Sequence, residues 1–243
     1  FMDQKPGTSG LRKKVTHIQQ KNYLENFVQA MFDQLSESEK SLLIIGGDGR
    51  FYNDKAIQCI VKIAAANGIK RVIIGQSGIL STPAVSNLIR QNKAGGGVIL
   101  SASHNPGGPK GDFGIKFNNA NGSPAPEAFT EALFLASQSL KEYRIIDAED
   151  VDLSSIGQSD LNGMKIDVIN AVTDYSALMQ QSFDFEWMKA EFSKKRLSLV
   201  FDAMNAVTGP YAKSVFSDCL GANLDSIINA TPLDDFGGEH PDP

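Results

Sequence analysis

The apolar positions of this 243-residue chain alternate between two periods. Leu42-Leu43-Ile44-Ile45-Gly46-Gly47 is a compact apolar run ended by glycines, which predicts a buried strand. Arg71 to Gly75 and Gly97 to Ala102 read the same way, and Ile115-Lys116-Phe117-Asn118 is a fourth candidate. Helical spacing fills the intervals. Leu24, Phe27, Val28, Met31 and Phe32 share one side of a helix over Asn22 to Leu35. Ile57, Ile60, Val61, Ala64 and Ala65 do so over Lys55 to Asn67, which Gly68 stops. Pro83 to Gln91 is another helix, and one more begins at Pro124 and runs to about Tyr143. Short buried strands separated by helices predict an α/β fold, with a mixed, mostly parallel sheet sandwiched by helices.

From Arg144 to Gly163 the pattern breaks down. Asp147, Glu149, Asp150, Asp152 and Asp160 are spaced by serine and glycine, which predicts an extended excursion over the surface. Lys165 to Val172 reads as a strand closing a first domain, residues 1–173. A second unit, 174–243, opens with a helix holding Tyr175, Leu178, Met179, Phe183 and Phe185. The strand Leu197 to Asp202, the helix Gly209 to Leu220 and a loop ending at Pro243 follow. With about one βα repeat beyond its first helix, this unit reads as an incomplete second α/β domain.

Composition narrows the functional classes. Hydrophobic residues at 42% and charged ones at 21% are ordinary for a globular protein. The net charge of -5 argues against a general nucleic-acid binder but leaves room for local basic sites that take small anions. No apolar run reaches the ~18 residues of a membrane span. Cys59 and Cys219 stand far apart among apolar residues, so they read as buried free thiols rather than a disulfide framework or a zinc site. That usage fits a reducing cytoplasm. No cluster of Asp, Glu, His and Cys spells a self-contained metal site.

Four segments carry candidate chemistry. Ser101-Ala102-Ser103-His104-Asn105-Pro106-Gly107-Gly108 follows the apolar run Val98-Ile99-Leu100, so it presents a serine at the mouth of a strand. Serine is a poor nucleophile unless a base activates it or it already carries the group to be transferred. Adjacent side chains on a strand end diverge, so His104 is expected to face an incoming phosphate or sugar rather than Ser103. A solvated turn would have the same polarity. Lys5-Pro6-Gly7-Thr8-Ser9-Gly10-Leu11-Arg12 can bring backbone N–H groups and hydroxyls to an anion, with Arg12 gripping it in a bidentate manner. It lacks P-loop spacing and is also readable as a polar arm. Lys116 alternates with Ile115 and Phe117 on a short strand. It is either a proton-transfer group with a lowered pKa or a lysine snorkelling to the surface. Gly46-Gly47-Asp48-Gly49-Arg50 lies at the carboxyl end of a strand, where open α/β sheets place ligands. Arg50 there either supports the site electrostatically or forms a structural pair with Asp48.

Taken in their order along the chain, from Lys5 through Gly46 and the serine loop to Lys116, the four segments resemble the α-D-phosphohexomutases. The run Gly107 to Asn118, with Gly122-Ser123-Pro124-Ala125-Pro126 and Asp235-Phe236-Gly237-Gly238-Glu239-His240-Pro241-Asp242-Pro243, is similar to the phosphoglucomutase branch. The resemblance implies interconversion of glucose 1-phosphate and glucose 6-phosphate through glucose 1,6-bisphosphate. It implies catalysis by Ser103, His104 and Lys116, with Ser103 carrying the transferable phosphate. Arg12, Thr8, Ser9, Ser103, Asn105 and Arg50 would bind phosphate and substrate. Mg²⁺ would meet this chain only through the phosphate on Ser103. The partners would be small sugar phosphates, with no nucleic acid and no membrane. Ser101 stands where the family usually has threonine. The family fold has four domains, and an Asp-Gly-Asp-Gly-Asp metal loop would follow Pro243. An inactive N-terminal piece is therefore the expectation. Mannose or glucosamine phosphate mutases, and a non-catalytic phosphoprotein or scaffold, are the competing readings.

Overall fold

The computed structural model describes residues 1–7, 9–194 and 198–241. Its strands are β1 (Leu11–Lys14), β2 (Leu43–Gly47), β3 (Arg71–Ile79), β4 (Gly96–Leu100), β5 (Asp112–Asn119), β6 (Gly157–Leu161), β7 (Met164–Ile169), β8 (Phe201–Asp202) and β9 (Ile227–Ile228). The first seven form one sheet in the order β1-β5-β4-β2-β3-β7-β6. Strands β4, β2, β3 and β7 run parallel at its centre, and β5, β1 and β6 are antiparallel to their neighbours on the flanks. The fold is thus the expected α/β class with a mixed sheet. The parallel part is confined to the four central strands. Strands β1 and β6 arise in segments whose sequence reads as a polar arm and a surface excursion. Neither has apolar alternation, and each forms by pairing with the edge of an existing strand.

Period-two alternation builds two cores. Leu43, Ile45, Val72, Ile74, Val98 and Leu100 belong to one, and Ile44, Ile73 and Ile99 to the other. The helices are α1 (Val15–Ile18), α2 (Tyr23–Phe32), α3 (Asn53–Ala66), α4 (Thr82–Asn92), α5 (Glu127–Ser139), α6 (Thr173–Ser182), α7 (Phe185–Ser193) and α8 (Thr208–Ala212). Residues of α1, α2, α3 and α5 fill the first core, and Ala84, Val85, Leu88 and Ile89 of α4 fill the second. Helix α2 is buried almost all round rather than on one side. Its polar members are paired: Asn26 donates to Gln4 and to the Ser137 carbonyl, and Gln29 exchanges bonds with Asn67.

The stretch 144–156 forms neither helix nor strand and is tied to α3. Gln58 donates to the Val151 carbonyl and accepts from Val151 N, and Lys62 holds Asp150 at 2.7 Å. Helix α5 is shorter than expected, because Leu140 is already extended. The single helix predicted beyond Asp174 is two helices. Phe183 leaves helical geometry, and the Asp184 side chain caps α7 by accepting from Trp187 N at 2.9 Å. Of the strand predicted over Leu197 to Asp202, Phe201 and Asp202 are β8, Leu197 lies outside the described residues and the rest is irregular. Helix α8 continues as a π-helical stretch, Lys213–Cys219.

Candidate active site

Strands β2 and β4 are parallel neighbours, with Gly47 opposite Leu100, so the loops leaving their carboxyl ends lie side by side. Asp48 N donates to the Leu100 carbonyl at 3.0 Å and joins the two loops at their base. The serine loop then turns sharply. Ser103 sits at φ 53, a left-handed conformation that costs a non-glycine residue ~1–2 kcal/mol. Side chains hold both of its backbone polar groups. Its N–H donates to Ser101 Oγ at 3.0 Å, and its carbonyl accepts from Arg50 Nη2 at 2.8 Å. The resulting turn leaves Ser103 and His104 exposed.

A buried ion pair anchors this arrangement. Arg50 Nε and Nη2 approach Asp48 Oδ2 at 3.0 and 2.9 Å, and Ser101 Oγ donates to the same oxygen at 2.7 Å. Arg50 Nη1 donates to the Asp112 carbonyl at 2.8 Å and to the Asn105 carbonyl at 3.4 Å. The Arg50 side chain is 0% exposed. Its donors are committed to protein oxygens, so the structure corrects the expectation that Arg50 meets a phosphate. It fastens the loop from beneath. Asn105 also braces the loop: its side-chain N–H₂ donates to Asp112 Oδ2 at 3.0 Å, and Lys14 holds the other Asp112 oxygen at 2.8 Å.

Arg12 reaches the serine from the other side. Strand β1 pairs with β5 so that Arg12 is opposite Gly114, and Ser101 N donates to the Gly114 carbonyl. This register carries Arg12 Nη2 to 2.7 Å from Ser103 Oγ. Arg12 Nε is buried and has no hydrogen-bond partner among the described residues. A guanidinium cannot take a proton, so this contact suits gripping an oxygen borne on the serine rather than activating the serine as a base would. Lys116 lies two residues beyond Gly114, on the same face of β5. Burial, and secondarily the charge of Arg12, hold its amine below the usual lysine value. The Gly7–Gly10 turn covers it: Gly7 and Gly10 exchange both backbone bonds at 3.0 Å. Gly10 has φ +88, and a side chain there would stand 2.5 Å from the Cβ of Lys116. Ser9 is exposed on this turn, and Thr8 lies outside the described residues.

Ser103, Arg12 and Lys116 are therefore brought together, His104 stands exposed beside them, and Arg50 and Asn105 lie beneath. Among the described residues, no group of three or more His, Cys, Asp or Glu is placed to hold a metal ion. The model of the phosphoglucomutase/phosphomannomutase α/β/α domain I matches residues 3–144. The chain belongs to this family. A phosphoglucomutase of Rhizobium radiobacter is 54% identical over 243 residues, covering 100% of this chain and 45% of the relative. The chloroplastic phosphoglucomutase 1 of Marchantia polymorpha is 52% identical over 242 residues, covering 99% and 37%. The open-form crystal structure of the Paramecium exocytosis-sensitive phosphoprotein pp63/parafusin, a phosphoglucomutase, superposes with a TM-score of 0.95 at 47% identity. That likeness covers 100% of this chain and 46% of the Paramecium protein. The chain thus spans less than half the length of these phosphoglucomutase relatives.

Sequence reasoning underweighted the supports of the site. Asp48 was readable as a structural partner of Arg50, but nothing in the sequence marked Ser101 or Asp112 as a support of the serine loop. A further signal was the pair Gly107-Gly108, since consecutive glycines in a structured loop mark a close approach by another backbone.

Proposed function

We propose that this chain carries the phosphoserine centre of a phosphoglucomutase. The observation that carries the proposal is Arg12 Nη2 at 2.7 Å from the Oγ of a serine whose backbone N–H and carbonyl are both clamped. In this reading Ser103 bears a phosphoryl group whose oxygens Arg12 holds. A hydroxyl of bound glucose 1-phosphate attacks phosphorus in line, the bond from Ser103 Oγ to phosphorus breaks, and a bond from phosphorus to the sugar oxygen forms. The sugar hydroxyl proton passes to Lys116 or His104, and the departing Ser103 Oγ takes up a proton from the other of the two, so that serine is left as its hydroxyl. Reversal from the other end of glucose 1,6-bisphosphate restores phosphoserine and releases glucose 6-phosphate. The lowered Lys116 pKa supports its role, because a half-buried amine is more readily neutral and able to accept a proton. Positioning and charge neutralisation are the main catalytic demands of phosphoryl transfer.

Mg²⁺ belongs to this reading as a counter-charge for the transferring group. The described residues do not by themselves fit a site for it. Asp48 is engaged by Arg50 and Ser101, and Asp112 by Asn105 and Lys14. Ser103 would contribute one phosphate oxygen. We also assign residues 1–173 to the phosphoserine domain and 174–243 to part of a second α/β domain, and we expect a cytoplasmic protein, in keeping with its two free cysteines. Isolated, the 243-residue chain is expected not to turn over efficiently.

The test is turnover of glucose 1-phosphate, mannose 1-phosphate and glucosamine 1-phosphate by a protein that carries this chain together with the rest of the family's length. Preference for glucose 1-phosphate, lost in Ser103→Ala, is the expected result. Preference for another sugar would move the assignment within the family. Full activity of Ser103→Ala would refute it. One relative is called an exocytosis-sensitive phosphoprotein, which favours a second reading of Ser103 as a regulatory modification site. Loss of a partner complex in Ser103→Ala, with mutase activity intact, would select that reading.

A further inference from the structure

Residues 233–238 cross the underside of the serine loop. At one end, Leu233 N donates to the Asn205 carbonyl at 2.9 Å. In the middle, the Asp234 carbonyl accepts from Phe51 N at 2.8 Å and from Gly108 N at 3.0 Å, joining the loops after β2 and β4. Phe236 then buries its ring, 1% exposed, with the Arg50 guanidinium 5.2 Å from the ring centroid. Phe236 itself is strained, at φ 56, Gly237 supplies the left-handed φ 73 that follows, and the Asp235 side chain accepts from Gly237 N at 2.9 Å. The two loop glycines match this approach. A side-chain carbon on Gly107 would lie 2.8 Å from the Asp234 carbonyl oxygen and 2.9 Å from the Phe236 ring.

We infer that Phe236 is a positioning residue for Ser103, acting through Arg50. The ring lies against the same guanidinium that donates to the Ser103 carbonyl at 2.8 Å. An aromatic face attracts a desolvated guanidinium and limits where it can sit. The segment therefore sets the position of Arg50, and Arg50 sets the turn that presents Ser103 Oγ to Arg12. Because residues 233–238 hang from Asn205, movement of that part of the chain would be felt at Ser103. The inference rests on the reading of Ser103 as the phosphoryl carrier.

The experiment compares the parent protein with Phe236→Leu, which keeps an apolar filling but removes the ring. It also uses Gly107→Ala, which keeps the Phe236 ring in the sequence but crowds it and the Asp234 carbonyl from the loop side. Two readouts are taken: hydrogen exchange at the amides of Ser103 and Gly108, and the rate at which Ser103 gains a phosphoryl group from glucose 1,6-bisphosphate with Mg²⁺. Both variants should exchange at these amides about tenfold faster, with β2 and β4 amides unchanged, as expected for local loosening. Both should gain phosphate about tenfold more slowly, at a similar apparent affinity for the bisphosphate. A merely structural contact would loosen the whole sheet or leave Ser103 unaffected, and either pattern would overturn the inference. Equal uptake in parent and variants would also overturn it. No uptake by the parent would instead overturn the phosphoryl-carrier reading, and the inference with it.

Discussion

Replacing Arg50 with methionine should be among the most damaging single changes at this site, although Arg50 does not touch substrate in the account above. The side chain is fully buried, pairs with Asp48 at 2.9 Å, and donates to the carbonyls of Ser103 and Asp112 at 2.8 Å each. Removing one partner of a buried ion pair costs ~3–5 kcal/mol, because the other charge is left uncompensated. Buried carbonyls without donors add ~1–3 kcal/mol each where water cannot replace them. Arg50→Met should therefore lose at least ~3 kcal/mol, which for a protein of this size lowers Tm by on the order of 10 °C. Urea unfolding at fixed pH and salt reads the change as a shifted midpoint. The double variant Asp48→Leu/Arg50→Met sharpens the test. A pair that serves only itself can be replaced by apolar residues at little cost. Arg50 also holds two loop carbonyls, so the double variant should stay ~2 kcal/mol below the parent. Recovery of parental stability in the double variant, or a loss under ~1 kcal/mol in Arg50→Met, would refute the anchoring role.

Other outcomes follow from the same geometry. Ser101→Ala removes the acceptor of the Ser103 N–H and a donor to Asp48, and should slow phosphoryl gain at Ser103; Ser101→Thr keeps the hydroxyl and should behave as the parent in the same assay. Lys116 has a folded-state pKa below its ordinary 10.5, so the unfolded chain binds more protons between the two values and stability rises with pH through that window. Lys116→Met should flatten this alkaline slope and raise Tm at pH 7 while lowering phosphoryl transfer, and an unchanged slope would contradict the assignment. Burial pushes the Cys59 thiol up to about 12, so native protein at pH 8 should leave Cys59 unalkylated by iodoacetamide, as peptide mass mapping reads. Gly10→Ala forces a side chain into a φ of +88 and within 2.4 Å of the Ile115 carbonyl oxygen, so it should displace the turn over Lys116 and reduce activity more than a surface Gly68→Ala, which meets nothing within 4 Å.

The sheet was legible wherever continuous apolar runs met glycine, because burial on both faces leaves few other ways to place Leu43-Ile44-Ile45 or Val98-Ile99-Leu100. Strand β1 was not legible. Its one buried apolar residue, Leu11, gives no period, and its pairing with β5 is decided by a partner a hundred residues away. The residues with exposed or half-buried chemistry, Ser103, Arg12 and Lys116, stood out in sequence because loops carry function and lysine among apolar neighbours is unusual. Arg50 was legible as either an electrostatic support of the site or a structural partner of Asp48, and the inward turn of its guanidinium decides for the pair over a phosphate contact. Phe236 was legible only as a member of a motif, since its contact with Arg50 spans most of the chain.

The most direct test of the central claim is phosphopeptide mapping after exposure of a protein carrying this chain with the rest of the family's length to glucose 1,6-bisphosphate and Mg²⁺. The account predicts one added phosphoryl group, located on Ser103, lost again on addition of glucose 6-phosphate and formed much more slowly in Arg12→Ala. Phosphate on another residue, or none on Ser103 in a protein that nevertheless converts glucose 1-phosphate, would contradict it.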